Sequence, residues 1–186
     1  MKIITGTAKG MNLETLEGEA TRPTSQRVKE AVFSMLQFDI EGARVLDLFA
    51  GSGQLGLEAL SRGAQKAAFS DSSRDATEII IKNAKKSRLF DRCRISTCDY
   101  AQMIRGIAGK EQFDIIFIDP PYKNVCINDV LEKLCQAKAI APGAFIVCES
   151  GSYDIFQGNE ELKSHFEIQK QAKYSITYIT VLRPVD

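Results

Sequence analysis

The residues that come closest to stating a chemistry are Asp119-Pro120-Pro121-Tyr122. They follow an apolar run over 113–118, broken only by Asp114, and so fall at the end of an expected strand. Two adjacent prolines remove two N–H donors and fix two φ angles, which leaves a stiff turn with carbonyl oxygens to spare. A carboxylate precedes the turn and a phenol ring follows it. The carboxylate and a proline carbonyl can accept hydrogen bonds from an exocyclic amine on a flat base, and the ring can stack on that base. A strand-ending turn with a surface tyrosine would use the same residues, so Asp-Pro-Pro by itself does not decide between the two.

A second constellation lies upstream. Asp47-Leu48-Phe49-Ala50 leads into Gly51-Ser52-Gly53-Gln54-Leu55-Gly56, a G-x-G-x-x-G spacing between an expected strand and an expected helix. Around Ala50, Gly51 and Gly53 the backbone can turn tightly and approach a ligand closely. The motif fits a dinucleotide as well as other adenosine ligands, and its bland reading is a tight strand-to-helix turn. Three acids refine it. Asp71 ends the second expected strand, where a carboxylate can accept both hydroxyls of an adenosine ribose. Asp99 follows the third, within reach of an adenine amino group. Asp47 sits just before the loop and could meet an ammonium directly or through water. It would repel a pyrophosphate. S-adenosylmethionine carries an ammonium and a sulfonium and no phosphate, so the electrostatics favour that methyl donor over NAD.

These residues need a scaffold that brings strand ends together. The pattern predicts a helix with an apolar stripe at Val28, Ala31, Val32, Met35 and Leu36, capped by Thr24 or Ser25. Strands over 43–49, 66–70, 94–97, 113–118 and 144–148 then alternate with helices over 54–62, 74–88, 100–108 and 125–139. Such alternation implies a parallel, doubly wound α/β sheet with right-handed crossovers. In that sheet Asp47, Asp71, Asp99 and Asp119 share one rim, at the carboxyl ends of the strands. Two β-rich runs, 166–172 and 174–182, have only Lys173 between them and suggest an antiparallel pair closing one edge. Residues 1–6 read as a short strand and turn.

Composition narrows the classes further. A chain of 186 residues with 44% hydrophobic content suits one domain with a proper core. We expect a single domain over 1–186, with an N-terminal extension, 1–40, packed on a catalytic core, 41–186. Lysine plus arginine balance aspartate plus glutamate at 24 each, and the pI is about 6.6, so a strongly basic nucleic-acid binder is not indicated. No run is long and apolar enough for a bilayer, and no signal peptide is apparent. The five cysteines form no Cys-x-x-Cys pair and read as buried thiols of a cytoplasmic protein. His165 is the single histidine, which argues against a zinc site or a histidine-based triad. We expect no metal.

Taken together, three stretches resemble the RsmD-like 16S ribosomal RNA guanine-N2 methyltransferases. They are Thr21-Arg22-Pro23-Thr24 with Arg27-Val28-Lys29-Glu30 and Phe33, the block 45–63 reading VLDLFAGSGQLGLEALSRG, and Asp119–Tyr122. Order and spacing agree, so the resemblance covers nearly the whole chain. It implies a seven-stranded Rossmann-like methyltransferase sheet, mostly parallel with antiparallel last strands, that uses S-adenosylmethionine. It also implies methylation of the exocyclic N2 amine of a guanine in 16S rRNA, guanine 966 in the family. Two positions depart from the pattern. Ser70-Asp71 stands where Val-Glu is frequent, and Tyr174-Ser175-Ile176-Thr177 stands where Tyr-Gly-x-Thr is common. Asp-Pro-Pro-Tyr also occurs in adenine-N6 methyltransferases acting on DNA, so an adenine acceptor stays open. An NAD-dependent oxidoreductase and a non-catalytic RNA-binding module are more distant readings.

On this reading Asp119, Pro120, Pro121 and Tyr122 carry the chemistry. Asp119 and the Pro120 carbonyl orient the amine, and Tyr122 stacks on the base. Arg22, Thr24 and Arg27, with Lys2 and Lys9 nearby, are the expected RNA contacts. The basic excess at Lys82, Lys85, Lys86, Arg88, Arg92 and Arg94 reads better as a solvated helix face and turn. Neutral overall charge predicts weak binding of bare RNA. The expected partner is therefore 16S rRNA within the small ribosomal subunit or an assembly intermediate, met by a monomer.

Overall fold

The structure, a computed structural model, describes residues 1–16, 26–121 and 126–185. Tyr122, Arg22 and Thr24 lie outside the described residues, as does the expected cap at Thr24 or Ser25.

Seven strands form one sheet: β1 (Arg44–Asp47), β2 (Lys66–Asp71), β3 (Cys93–Thr97), β4 (Phe113–Ile118), β5 (Ile140–Ser150), β6 (Phe166–Tyr174) and β7 (Thr177–Pro184), in the order β3-β2-β1-β4-β5-β7-β6. The first five pair in parallel, and β7 pairs antiparallel with both β5 and β6. The helices are α1 (Gln26–Met35), α2 (Gln54–Ser61), α3 (Arg74–Lys86), α4 (Tyr100–Ile107), α5 (Ile127–Gln136) and α6 (Glu160–Ser164). Central strands are apolar on both faces because helices cover both. Val45, Phe69, Ile115 and Phe117 pack with Val32, Phe33, Leu57 and Ile80 from α1, α2 and α3. Leu46, Ala68, Ile116 and Ile118 pack with Ile104, Val130, Leu134 and Leu162 from α4, α5 and α6. Asp114, the break in the β4 run, accepts from the Arg44 backbone N–H at 2.8 Å and from its guanidinium at 3.0 Å. It thereby pins β1 to β4 away from the site.

The parallel sheet and the antiparallel edge are as expected, but the turn between the last two strands falls at Ser175 and Ile176, with Lys173 inside β6, and there are three further differences. First, β5 begins at Ile140, so Pro142 and Gly143 lie inside it. The pairing with β4 slips there: Phe113 faces Ile140 while Ile115 faces Phe145. This irregularity tolerates the proline. Second, α6 had no counterpart in the expected elements. It is a short polar turn capped by Asn159, which accepts from the Leu162 N–H at 3.0 Å, and it carries too little periodicity to read. Third, the N-terminal strand reduces to a single antiparallel bridge between Lys2 and Asn12.

Side chains hold that N-terminal segment. Lys29 and Glu58 form a buried ion pair at 3.1 Å. Glu58 accepts from the N–H groups of Ile4 (2.8 Å) and Thr5 (3.1 Å) and from Arg62, while the Lys29 ammonium donates to the Lys2 carbonyl at 2.6 Å. Burial lowers the Lys29 pKa against the opposing pull of Glu58. The family-matching Lys29 therefore ties residues 2–5 to α1 and α2.

Two further readings are refined. Cys126 is exposed and Cys148 fully buried, the remaining three cysteines lying between, so the thiols are not uniformly internal. In the basic cluster Arg94 pairs with Glu111, Arg92 donates to the Ala64 carbonyl at 3.0 Å, and the Lys85 ammonium lies 5.2 Å above the Phe90 ring. Local partners account for these three. Among the described residues no helix is long and apolar enough to cross a membrane, and no group of acids, cysteines or histidines could hold a metal ion.

Candidate active site at the carboxyl ends of the strands

Chain order reverses between β1 and β4: β2 and β3 follow on one side, β5 on the other. At such a switch point the two crossover connections leave in opposite directions and a crevice opens above the strand ends. A cleft of about 500 Å³ lies there. The glycine loop, Asp71, Asp99, Asp119, Pro121 and Glu149 line it, together with Phe49, Gln54 and Tyr100.

The loop geometry explains its glycines. Gly53 is the residue before α2 and adopts φ 78°, a left-handed conformation that disfavours a side chain. Gly56 lies against β2: a Cβ there would stand 2.2 Å from the Phe69 ring. Absence of that atom lets α2 sit down on the sheet. Asp71 organises the loop as well as facing the cleft. Its carboxylate accepts from the Gly51 N–H at 2.9 Å and from the Ser73 N–H at 2.9 Å. Each oxygen retains a lone pair for a further donor.

Asp47 differs from its expected position. It is 2% exposed and absent from the cleft wall. It accepts from the Gly56 N–H at 3.1 Å, bracing the first turn of α2 from behind. Burial pushes its pKa up to about 7, against the lowering effect of the Gly56 hydrogen bond, with Asp71 adding a smaller upward push. Its observed role is to support the loop from behind. Apolar neighbours on both sides of β1 bury its last residue, which an isolated carboxylate in a sequence does not reveal. Asp99 reaches the cleft but also caps α4, accepting from the Gln102 N–H at 2.8 Å in a reciprocal capping box.

Asp119 sits at the lip of the cleft, with Pro120 buried behind it and Pro121 exposed. Glu149 stands on the next strand, since Ile118 pairs with Cys148 one residue earlier. Both acids also face a small space bounded by Val28, Lys29 and Val32 of α1. The helix that follows the N-terminal segment therefore packs beside this lip, and Met1 and Leu16 reach the cleft itself. Arg27 is exposed on that helix.

Glu149, Gln54, Phe49 and Tyr100 are among the lining residues that the sequence does not single out. Glu149 had the same signal as Asp47 and Asp71, an acid at the end of an apolar strand. Phe49 and Tyr100 form a tilted pair with centroids 5.4 Å apart, an apolar wall beside Asp99. The Tyr100 hydroxyl donates to Asp129 at 2.7 Å, a bond that helps push its pKa up to about 12. Gln54 Oε1 is buried with no partner among the described residues, an acceptor left available in the wall.

The charge of the lining decides what ligand it suits. Asp71, Asp99, Asp119 and Glu149 contribute four carboxylates, and no described lysine, arginine or histidine side chain lines the cleft. Such a wall repels a pyrophosphate and attracts a cation.

A family model described as Conserved hypothetical protein 95 matches residues 1–183. Ribosomal RNA small subunit methyltransferase D of Haemophilus influenzae is 32% identical over 151 residues, 81% of this chain and 78% of that protein. Its counterpart of the same name in Escherichia coli is also 32% identical over 151 residues, covering 81% and 74%. The solved structure of the Escherichia coli protein yhhF superposes with a TM-score of 0.86 at 26% identity, over 99% of this chain and 97% of that one. The chain belongs to this family, that of the RsmD-like methyltransferases, and has its Rossmann-like fold.

Proposed function

We propose that the protein transfers a methyl group from S-adenosylmethionine to the exocyclic N2 amine of a guanine in 16S rRNA, the position numbered 966 in the family. It would act in the cytoplasm as a monomer, on the small ribosomal subunit or an assembly intermediate. One observation carries the reading. The rigid Asp119-Pro120-Pro121 turn stands on the lip of an acidic cleft that the glycine loop and Asp71 also line.

The residues fit the donor. Asp71 would accept ribose hydroxyls, Asp99 would accept from the adenine amine, and Phe49 with Tyr100 would pack on the adenine ring. Gln54 Oε1 and the surrounding carboxylates suit a cationic group, while Gly51 and Gly53 permit close backbone approach. S-adenosylmethionine, when bound, supplies an electrophilic methyl group on a positively charged sulfur. The chain must then present a weak nucleophile. A guanine amine delocalises its lone pair into the ring. Asp119 and the Pro120 carbonyl would accept its two N–H bonds, aim the lone pair at the methyl and stabilise positive charge as it develops on nitrogen. The proton can leave after transfer, so no strong base is required. Tyr122 remains the expected stacking partner of the base, and Arg22, Thr24 and Arg27 the expected RNA contacts. An unpaired or flipped guanine is required to reach the turn.

The test is labelled methyl transfer to small subunits from a strain lacking the modification, followed by identification of the modified nucleoside. N2-methylguanosine in 16S rRNA is expected. N6-methyladenosine would overturn the choice of base. Protection from heat unfolding by NADH but not by S-adenosylhomocysteine would overturn the donor.

A further inference from the structure

We propose that Tyr153, Tyr178 and Lys173 form a platform that holds an unpaired nucleotide of the RNA substrate beside the reaction centre; the inference rests on the reading of the protein as an rRNA methyltransferase. Tyr178 pairs with Ser150, the last residue of β5, and Glu149 pairs with Ile179. The start of β7 therefore continues the rim that carries Asp119 and Glu149. It stands two strand spacings from β4, about 10 Å.

Three observations mark this patch as a surface for a nucleic-acid strand rather than core packing. Tyr153 is 65% exposed, so it adds little to the core. It meets Tyr178 edge to face, with centroids 5.7 Å apart and planes at 82°. The Lys173 ammonium lies 5.3 Å from the Tyr178 centroid, which sets a cation beside two aromatic rings. Rings of this kind stack on bases of any identity, and an adjacent ammonium meets a phosphate. The position is held in advance, although the ring faces solvent. Gln171 Nε2 donates to the Tyr153 carbonyl at 2.6 Å and to Thr180 Oγ1 at 2.9 Å. The neighbouring Asp154 turns its carboxylate onto the Phe156 and Gly158 N–H groups, at 2.9 and 3.1 Å. Lys173 on edge strand β6 also discourages strand pairing, but that role gives no reason for an exposed Tyr153 ring.

Leu182 packs with α5 and α6 and Ile179 with α1, so by strand alternation Tyr178 and Thr180 take the α5 and α6 side of the sheet. The platform and the Arg27 region thus flank Asp119 from opposite faces. A strand crossing the lip would be held on both sides of the nucleotide in the turn.

The experiment is steady-state methyl transfer to undermethylated small subunits by wild type, Tyr153→Ala, Tyr153→Phe and Lys173→Gln, with S-adenosylhomocysteine affinity measured in parallel. Tyr153→Ala should raise KM for the subunit roughly 5- to 150-fold, the range for loss of one stacked base, with kcat and S-adenosylhomocysteine affinity unchanged. Tyr153→Phe should keep the wild-type KM. Lys173→Gln should reduce the slope of log KM against log salt by about 0.7, one phosphate contact on a single strand. An unchanged KM in Tyr153→Ala, or a fall in kcat at constant KM, would overturn the platform. Failure of the wild type to methylate RNA in the subunits would instead overturn the underlying reading.

Discussion

Gly56→Ala offers a sharp test of how the donor loop is positioned. A Cβ at residue 56 would lie 2.2 Å from Phe69 Cε1 and 2.6 Å from Cζ, where ordinary contact begins near 3.4 Å. Phe69 is fully buried and cannot swing away, so α2 must lift from β2 by more than 1 Å or the ring must leave its rotamer. Overpacking of this kind costs about 1–3 kcal/mol, and the depth of the overlap places Gly56→Ala at the upper end. The gain in helix propensity offsets roughly 1 kcal/mol. A net loss of about 2 kcal/mol is expected in urea unfolding. Weaker S-adenosylhomocysteine binding should accompany it, because Gly53 and Gln54 ride on the same turn. Gly106→Ala supplies the control. Gly106 lies in α4 with nothing within 4 Å of the added carbon. The same substitution there should stabilise by up to about 1 kcal/mol. A second control is the pair Gly56→Ala with Phe69→Leu, which should recover part of the loss through a favourable coupling term. Equal effects of the two alanine substitutions, or no coupling to Phe69, would refute the claim that the third glycine serves helix–sheet contact.

Other outcomes follow from the site and its flanks. Asp119→Ala should lower kcat on the order of 100-fold, as expected for one group lost from transition-state stabilisation, with S-adenosylhomocysteine affinity retained by calorimetry; near-normal turnover would contradict the mechanism. Asp47 has a folded pKa near 7, above its ordinary value of 3.8. The folded protein therefore binds the extra proton between those values, and this contribution to stability, at most about 4 kcal/mol, is present in acid and lost as pH rises through 7. Asp47→Asn should accordingly reduce the difference in unfolding free energy between pH 5 and pH 8, and a larger difference would refute the assignment. Ser175 adopts φ 57° as the first residue of the two-residue turn joining β6 and β7. Ser175→Gly should relieve that conformation and add up to about 1 kcal/mol, read as a rise in Tm of about 2–4 °C.

Strong periodicity made most of the fold readable in advance. Apolar runs over 113–118 and 43–49, separated by amphipathic helices, leave few alternatives to a parallel sheet. A single-turn helix such as α6, and a strand that continues through Pro142-Gly143, carry no such signal. The glycine loop, Asp71 and Asp119 were legible because residue type and strand-end position coincide. Asp47 shared both features yet lies behind the loop, since burial depends on what packs against the first turn of α2. Lys29 shows the converse. As one charged residue in an exposed-looking helix it gives no hint of its partner 29 positions away, and only the folded chain brings Glu58 beneath it. Tyr153 and Tyr178, likewise, meet only after β7 inserts next to β5.

That insertion bears on how the protein is made. β7 occupies an interior place in the sheet, yet it is the last of the seven strands to be synthesised. Until it emerges, β5 presents an unpaired edge of up to eleven residues, rich in Ala, Phe, Ile and Val. β6 cannot shield that edge, for its own hydrogen bonds run to β7. The nascent chain thus carries an open, adhesive edge from the emergence of β5 until its last strand is made. A chain cut short within β6 or β7 would keep the glycine loop and the Asp119 turn in its sequence while leaving an open template for aggregation.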